Sequence, residues 1–377
     1  LWFVTCKLSR KSPWYAVAMI YIAIFVLASG LSTTATMLVF IPLLGAIYDM
    51  LGYKKEDGDK FPAIMMTSVV VVSQIAQSTS PISHAMTLIG LSTYSNYMPE
   101  DAIGFVQYIA ICLPVGIVSL ILWYLLTKFV FKPDVSRFGT LNLTQLNKES
   151  KPFSKAEKIA SAIYLLTIVS WILPGIAEYI FPADIAAFCG KINQNFVPMV
   201  GIVLMHLIKV DGEPVLDYKE ASKAAPWNTA IFMGTILMVS SVLSNAELGI
   251  TSWMAGVAAP VFQGMSPVIF VVVMVVACAI ATNFISNAIA LFFAISMPMV
   301  TTVFAGQLPP QLVPILVTAA ANYSYATPTA TAPVAFIQES GWVDGKRLFA
   351  WGMTIGVGCA IVACLVGIPL GNVVLGG

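Results

Sequence analysis

Residues 31–43 read LSTTATMLVFIPL, and residues 285–298 read ISNAIALFFAISMP. In each, a serine (Ser32, Ser286) opens a short break rich in hydroxyls or amides, and the apolar arm that follows runs on to a proline, Pro42 or Pro298. Each stretch joins two apolar blocks, 13–31 with 33–51 and 266–285 with 287–306, so each reads as a helical hairpin with a polar tip. Downstream of each tip lies a second interruption. QSTSPISH, centred on Ser80-Pro81, breaks an apolar stretch over 62–97, and YATPTATAP, centred on Thr327-Pro328, breaks another over 309–340. A long apolar block follows each, 103–131 and 347–375. The order hairpin, interrupted helix, long helix therefore occurs twice.

Composition places this pattern in a bilayer. Of 377 residues 58% are apolar and 10% charged, with a mean hydropathy of +0.87; soluble chains hold roughly 45–50% apolar and about 25% charged residues. A soluble enzyme, a nucleic-acid binder and a disordered scaffold are excluded, and no nucleic-acid partner is expected. Lipid satisfies no backbone group and no alternating barrel pattern appears, so the class is an all-α polytopic membrane protein. The six cysteines show no CxxC spacing and read as small buried hydrophobes.

The net charge is only +1, but its distribution gives a topology. Every Lys and Arg except Lys191 falls in one of five linkers: Lys7 to Lys11, Lys54 to Lys60, Lys128 to Lys158, Lys209 to Lys223, and Lys346 with Arg347. Placing all five on the cytoplasmic side makes 13–51 a re-entrant hairpin from inside and 266–306 one from outside. The two halves then have opposite orientation. This is the inverted repeat of secondary transporters, whose substrate site lies at mid-depth where broken helices meet.

The tips limit the chemistry. No Asp, Glu, Lys or Arg falls in the middle of an apolar block, and the only histidines are His84 and His206. That argues against a carboxylate proton relay, an Arg clamp or a catalytic metal site. Hydroxyls, amides and exposed backbone remain. Helix N-termini suit an anion, while carbonyls with Ser, Thr and Asn oxygens suit Na⁺. Thr282, Ser286 and Asn287 fall at i, i+4 and i+5, so one turn presents three such oxygens to the ion. His84, three residues past Pro81, is a candidate for touching substrate or tuning its pH response.

At these tips the chain resembles the divalent anion:sodium symporter (DASS) family of dicarboxylate, citrate and sulfate carriers. That family is marked by two Ser-Asn-Thr tips and by Thr-Pro-Pro-Asn-like loops. Here the tips read Ser32-Thr33-Thr34 and Ser286-Asn287-Ala288, and the loops Thr79-Ser80-Pro81-Ile82-Ser83 and Ala326-Thr327-Pro328-Thr329-Ala330. The resemblance implies an elevator-type homodimer. Its transport domain would comprise 12–131 (hairpin 13–51, broken helix 62–97, helix 103–131) and 265–376 (hairpin 266–306, broken helix 309–340, final helix 347–375). A cytoplasmic linker over 132–156 and scaffold or dimerisation helices over 157–262 would lie between them. One sodium site would use Ser32, Thr33 and the backbone near Thr79; the other would use Thr282, Ser286, Asn287 and the backbone near Ala326. Substrate would meet Thr33, Thr34, Ser80, Pro81, Asn287, Thr327 and Pro328. The first tip carries Thr33 in the Asn position, and the second carries Ala288 in the Thr position. The chain opens at Leu1 inside apolar sequence, so the family's leading scaffold helices are expected to precede it.

The expected function is Na⁺-coupled uptake of small anions, di- or tricarboxylates first, across the plasma membrane, with Na⁺ as coupling ion and no other cofactor. Na⁺-independent exchange and carriage of sulfate are the alternatives. A channel fits less well with apposed tips, and an enzyme lacks any acid, base or metal cluster.

Overall fold

A computed structural model describes residues 12–82, 85–137, 153–190, 196–224, 245–262, 264–284 and 306–376, with single positions between 227 and 242. The second tip, Ser286-Asn287-Ala288, and His84 lie outside the described residues. The chain is mostly helical and divides into two compact units. One comprises 1–103, 108–146 and 236–377, the other 104–107 and 147–235. The first unit takes in 236–262, a stretch that the sequence groups with the scaffold helices.

In the first unit, α1 (Pro13–Gly30) and α2 (Thr33–Met50) are joined by Leu31 and Ser32 alone. Local chemistry marks both starts. Ser12 accepts from the Trp14 N–H ahead of Pro13, and Ser32 accepts from the Ala35 N–H. Both helices pack against α3 (Lys60–Ser78), in which every residue from Phe61 onward is buried. A helix apolar on all sides belongs in the interior, and α3 forms the centre of this unit.

Its internal hydroxyls need partners. Ser68 Oγ lies 2.6 Å from Tyr21 Oη on α1 and accepts from Trp123 Nε1 at 3.0 Å. Tyr21 also meets Thr127 Oγ1 at 3.2 Å. Three helices are thereby tied through one buried hydroxyl.

After α3 the chain leaves helix at Thr79 and resumes as α4 (Ala85–Tyr97), then α5 (Phe105–Leu125), which ends in a π-helical turn at Leu126–Phe131.

The basic linkers meet at one end of this unit. Arg137 lies 3.8 Å from Asp59 and over the Tyr53 ring, and Arg347 Nη1 donates to the Gly58 carbonyl at 2.7 Å. Lys128 sits over Trp14, at the start of α1. The entry of the α1–α2 pair, its exit and the 346–347 linker therefore share a side.

The second unit contains α6 (Lys155–Ile180), α7 (Ala183–Gly190) and α8 (Phe196–Leu207). Ser154 and Glu157 form a reciprocal capping box at the start of α6, and the Ser154 N–H holds the Glu157 carboxyl below its usual range. A two-stranded hairpin follows, β1 (Lys209–Val210) with β2 (Glu213–Pro214), turning at Asp211 and Gly212, which both have positive φ. That turn is the Asp-Gly form which favours such hairpins. It leads to α9 (Tyr218–Ala224).

Back in the first unit come α10 (Ile250–Phe262), α11 (Pro267–Ala281) and α12 (Leu312–Ala320). Irregular chain from Ala321 to Thr331 separates α12 from α13 (Ala332–Glu339). The final helix is α14 (Gly345–Val362), which passes through a π-helical turn at Ala363–Gly367 into α15 (Ile368–Leu375).

Among the described residues five helical segments are long and apolar enough to cross a membrane: Pro13–Gly30, Thr33–Met50, Lys60–Ser78, Phe105–Phe131 and Gly345–Leu375. The five described cysteines, Cys112, Cys189, Cys278, Cys359 and Cys364, are buried and unbridged.

Candidate functional site

The two interrupted helices cross at their interruptions. Gln74 of α3 accepts from Ser324 Oγ at 2.9 Å and donates to Thr331 Oγ1 at 3.3 Å, so one buried amide spans the break between α12 and α13. The other halves also meet. Asn322 Nδ2 lies 3.4 Å from Thr87 Oγ1 of α4, and a Cβ on Gly90 would come within 2.3 Å of Thr318 Oγ1.

In the second half, α11 ends at Ala281 and Thr282 is its C-cap. Of Thr282, Ser286 and Asn287, only Thr282 lies within the described residues. Thr282 donates to the Ala321 carbonyl at 2.8 Å. The next residue does the most. Asn283, fully buried, accepts at Oδ1 from the backbone N–H of Tyr325 and of Ala326, both at 2.8 Å. Its Nδ2 donates to the carbonyls of Ala279 at 2.8 Å and Tyr323 at 2.9 Å. Thr327 Oγ1 in turn donates to the Asn283 carbonyl and faces Thr329 Oγ1. Thr282, Ala326 and Thr327 are thus brought together, while Pro328 beside them is exposed.

In the first half, Ser32 caps α2 and is exposed, as is Thr34. Thr33 is 5% exposed, and its Oγ1 is buried with no hydrogen-bond partner among the described residues. A buried hydroxyl without a partner costs roughly 1–3 kcal/mol, so it calls for an explanation. Thr79, at the end of α3, donates to the Ala76 carbonyl at 2.6 Å, and Ser80 accepts from the Ile82 N–H at 3.2 Å. Ser80 and Pro81 are buried. Among the described residues no hydrogen bond joins the Ser32–Thr34 tip to Thr79–Pro81. The arm after that tip lies beside α13: Thr34, Met37 and Ile41 face Phe336 and Glu339 across an apolar cleft of about 350 Å³.

The region is electrically neutral in its side chains. From Phe61 to Pro99, and again from Leu248 to Gln338, the chain carries no Asp, Glu, Lys or Arg. Helix ends supply the field. The carbonyl ends of α3 and α12 point at the breaks with partial negative charge, and the amide ends of α2 and α13 carry partial positive charge. Neither Asn283 nor Gln74 stands out in the sequence. The available signal was an amide inside an otherwise apolar block.

Helices fit to cross a bilayer, interrupted where neutral polar groups converge, define a membrane transporter. The model of the family described as "Sodium:sulfate symporter transmembrane region" matches residues 8–376, and the chain belongs to that family. It is a multi-pass membrane transporter and not an enzyme. It is 24% identical over 361 residues to the sodium-dependent dicarboxylate transporter SdcS of Staphylococcus saprophyticus, covering 91% of this chain and 67% of that protein. It is 24% identical over 310 residues to the citrate/succinate antiporter of Escherichia coli K12, covering 81% and 59% respectively. The chain thus spans about two-thirds or less of the length of these relatives. The crystal structure of the Alcanivorax borkumensis YdaH transporter is similar in fold, with a TM-score of 0.57 at 14% identity over 98% of this chain and 85% of that one.

Proposed function

We propose that this chain carries small organic anions, di- or tricarboxylates, across the plasma membrane together with Na⁺. The observation that carries the reading is Thr33, whose buried hydroxyl has no described partner and stands at the amide end of α2. An anion placed there gains a donor and a favourable dipole. Na⁺ fits the rest of the donor set, since neutral hydroxyl and backbone oxygens are hard ligands that need no carboxylate. In this reading Ser32, Thr33 and the backbone near Thr79 hold one cation. Thr282, Ser286, Asn287 and the backbone near Ala326 hold the other. Thr33, Thr34, Ser80, Pro81, Asn287, Thr327 and Pro328 meet the anion. The chain's similarity to a dicarboxylate transporter and a citrate/succinate antiporter supports this cargo class.

The architecture proposed with it is an inverted repeat. Two re-entrant hairpins meet at mid-depth within a transport domain that slides, as an elevator, against scaffold helices of a homodimer. A π-helical turn in each of the two long runs, at Leu126–Phe131 and at Ala363–Gly367, is in keeping with the repeat. At 18 residues, α1 and α2 each reach about 27 Å, close to the hydrocarbon thickness of about 30 Å. Length alone therefore does not separate a dip from a crossing.

Full-length protein in proteoliposomes tests this. An inward Na⁺ gradient should drive accumulation of labelled succinate or citrate above equilibrium, with sulfate as a competing cargo. Uptake indifferent to Na⁺ would refute coupling. Exchange without any cation is the second reading, favoured by Thr33 standing in the Asn position of the first tip, and counterflow at zero Na⁺ would reveal it.

A further inference from the structure

We propose that Asn283 is a positioning residue that presets the second interrupted helix for its cation, and that the first half has no equivalent. This rests on the sodium-coupled reading above and deepens it. An asparagine amide can accept two hydrogen bonds and donate two, and Asn283 spends all four on backbone. Two go to the loop amides of Tyr325 and Ala326, one to the Tyr323 carbonyl and one to its own helix. The loop between α12 and α13 would otherwise have to order its peptide units when an ion arrives. Peptide planes are rigid and trans, so fixing the N–H of Tyr325 and Ala326 toward Asn283 turns the Ser324 carbonyl away from it and the Tyr325 carbonyl against Gly352 of α14. That leaves the Ala326 carbonyl as the loop's oxygen for the ion. Prior ordering of this kind removes an entropic cost from binding. Thr282 reinforces the latch by holding the Ala321 carbonyl.

The first half differs at the matching positions. Aligning Ser32 with Ser286 sets Ala28 opposite Thr282 and Ser29 opposite Asn283. Ala28 has no polar atom to offer. Ser29 donates to the Phe25 carbonyl of its own helix at 2.8 Å, and among the described residues no hydrogen bond joins it to Thr79–Ile82. The loop side of the second-half cation site is therefore preformed by an amide from its hairpin arm, a hold that Ser29 does not supply in the first half.

The test combines Asn283→Ala with two readouts on full-length protein. Hydrogen exchange at Tyr325 and Ala326 should speed up at least tenfold while α14 stays protected. In proteoliposomes, the Na⁺ concentration for half-maximal uptake should rise at least tenfold, with the maximal rate at saturating Na⁺ within about twofold. Asn283→Ser, which keeps one acceptor, should shift both readouts in the same direction by less, and it serves if the alanine variant does not fold. Cys278→Ala, a packing change one turn earlier on α11, should move neither.

Unchanged exchange at Tyr325 and Ala326 would overturn the latch. Faster exchange with an unaltered Na⁺ requirement would overturn its role toward the cation. Wild-type uptake that ignores Na⁺ would instead refute the coupling itself, and exchange alone would then decide the latch.

Discussion

A Cβ built on Gly352 of α14 would lie 2.6 Å from the Tyr325 carbonyl oxygen and 2.6 Å from the Ala326 Cα. The final helix thus packs bare backbone against the loop that Asn283 holds from the other side. In an ordinary helix Gly→Ala gains about 1 kcal/mol in propensity. Gly352→Ala should do the reverse, lowering stability by roughly 1–3 kcal/mol through overpacking against backbone that cannot swing away. Uptake should fall at least tenfold. Gly45→Ala, in α2 with open space around its Cβ, is the control and should be neutral or stabilising in thermal unfolding.

Gly116 and Thr79 make a similar approach in the first half. A Cβ on Gly116 would meet Thr79 Cγ2 at 2.1 Å, and the Thr79 rotamer is fixed by its bond to Ala76. Gly116→Ala should destabilise, whereas Thr79→Ser removes the obstructing methyl and keeps the hydroxyl. Stabilities of the single and double variants should show a favourable coupling of roughly 0.5–3 kcal/mol. Additive effects would mean that the two side chains do not collide.

Ser68 ties three helices through one hydroxyl. Ser68→Ala leaves the Trp123 N–H without its acceptor and removes a partner from Tyr21. The cost should be roughly 1–3 kcal/mol, read as a lower melting temperature with unaltered anion affinity at low temperature.

Thr33→Val separates a structural from a binding role. Valine matches the shape of threonine and removes a hydroxyl that has no described partner. If that hydroxyl only fills space, the variant should be as stable as the parent and equally active. The expected result is equal or higher thermal stability with anion affinity reduced at least tenfold.

Much of this architecture is legible in the sequence because its causes are local. Ser12 with Pro13, and Ser32 before Thr33, mark helix starts through their own hydroxyls. Ser80-Pro81 and Thr327-Pro328 mark breaks because proline withholds an N–H and disfavours helix in the residue before it. Asp211-Gly212 also announces its turn, although strands of two residues leave little pattern around it. What stays hidden is long-range. Nothing near Asn283 says that its amide meets a loop some forty residues away. Likewise, nothing near Gln74 points to Ser324 or Thr331. The π-helical turns at 126–131 and 363–367 have no local signature, since packing selects them. The helix end at Ala281 falls where the apolar run gives way to Thr282 and Asn283.

The most direct measurement is equilibrium binding of succinate to the purified full-length protein, titrated with and without Na⁺. Binding should be saturable and require Na⁺, weaken at least tenfold in Thr33→Val, and weaken at least tenfold in Asn283→Ala when Na⁺ is held below saturation. Binding of equal strength without Na⁺, and unchanged in both variants, would contradict a neutral site assembled at the interrupted helices.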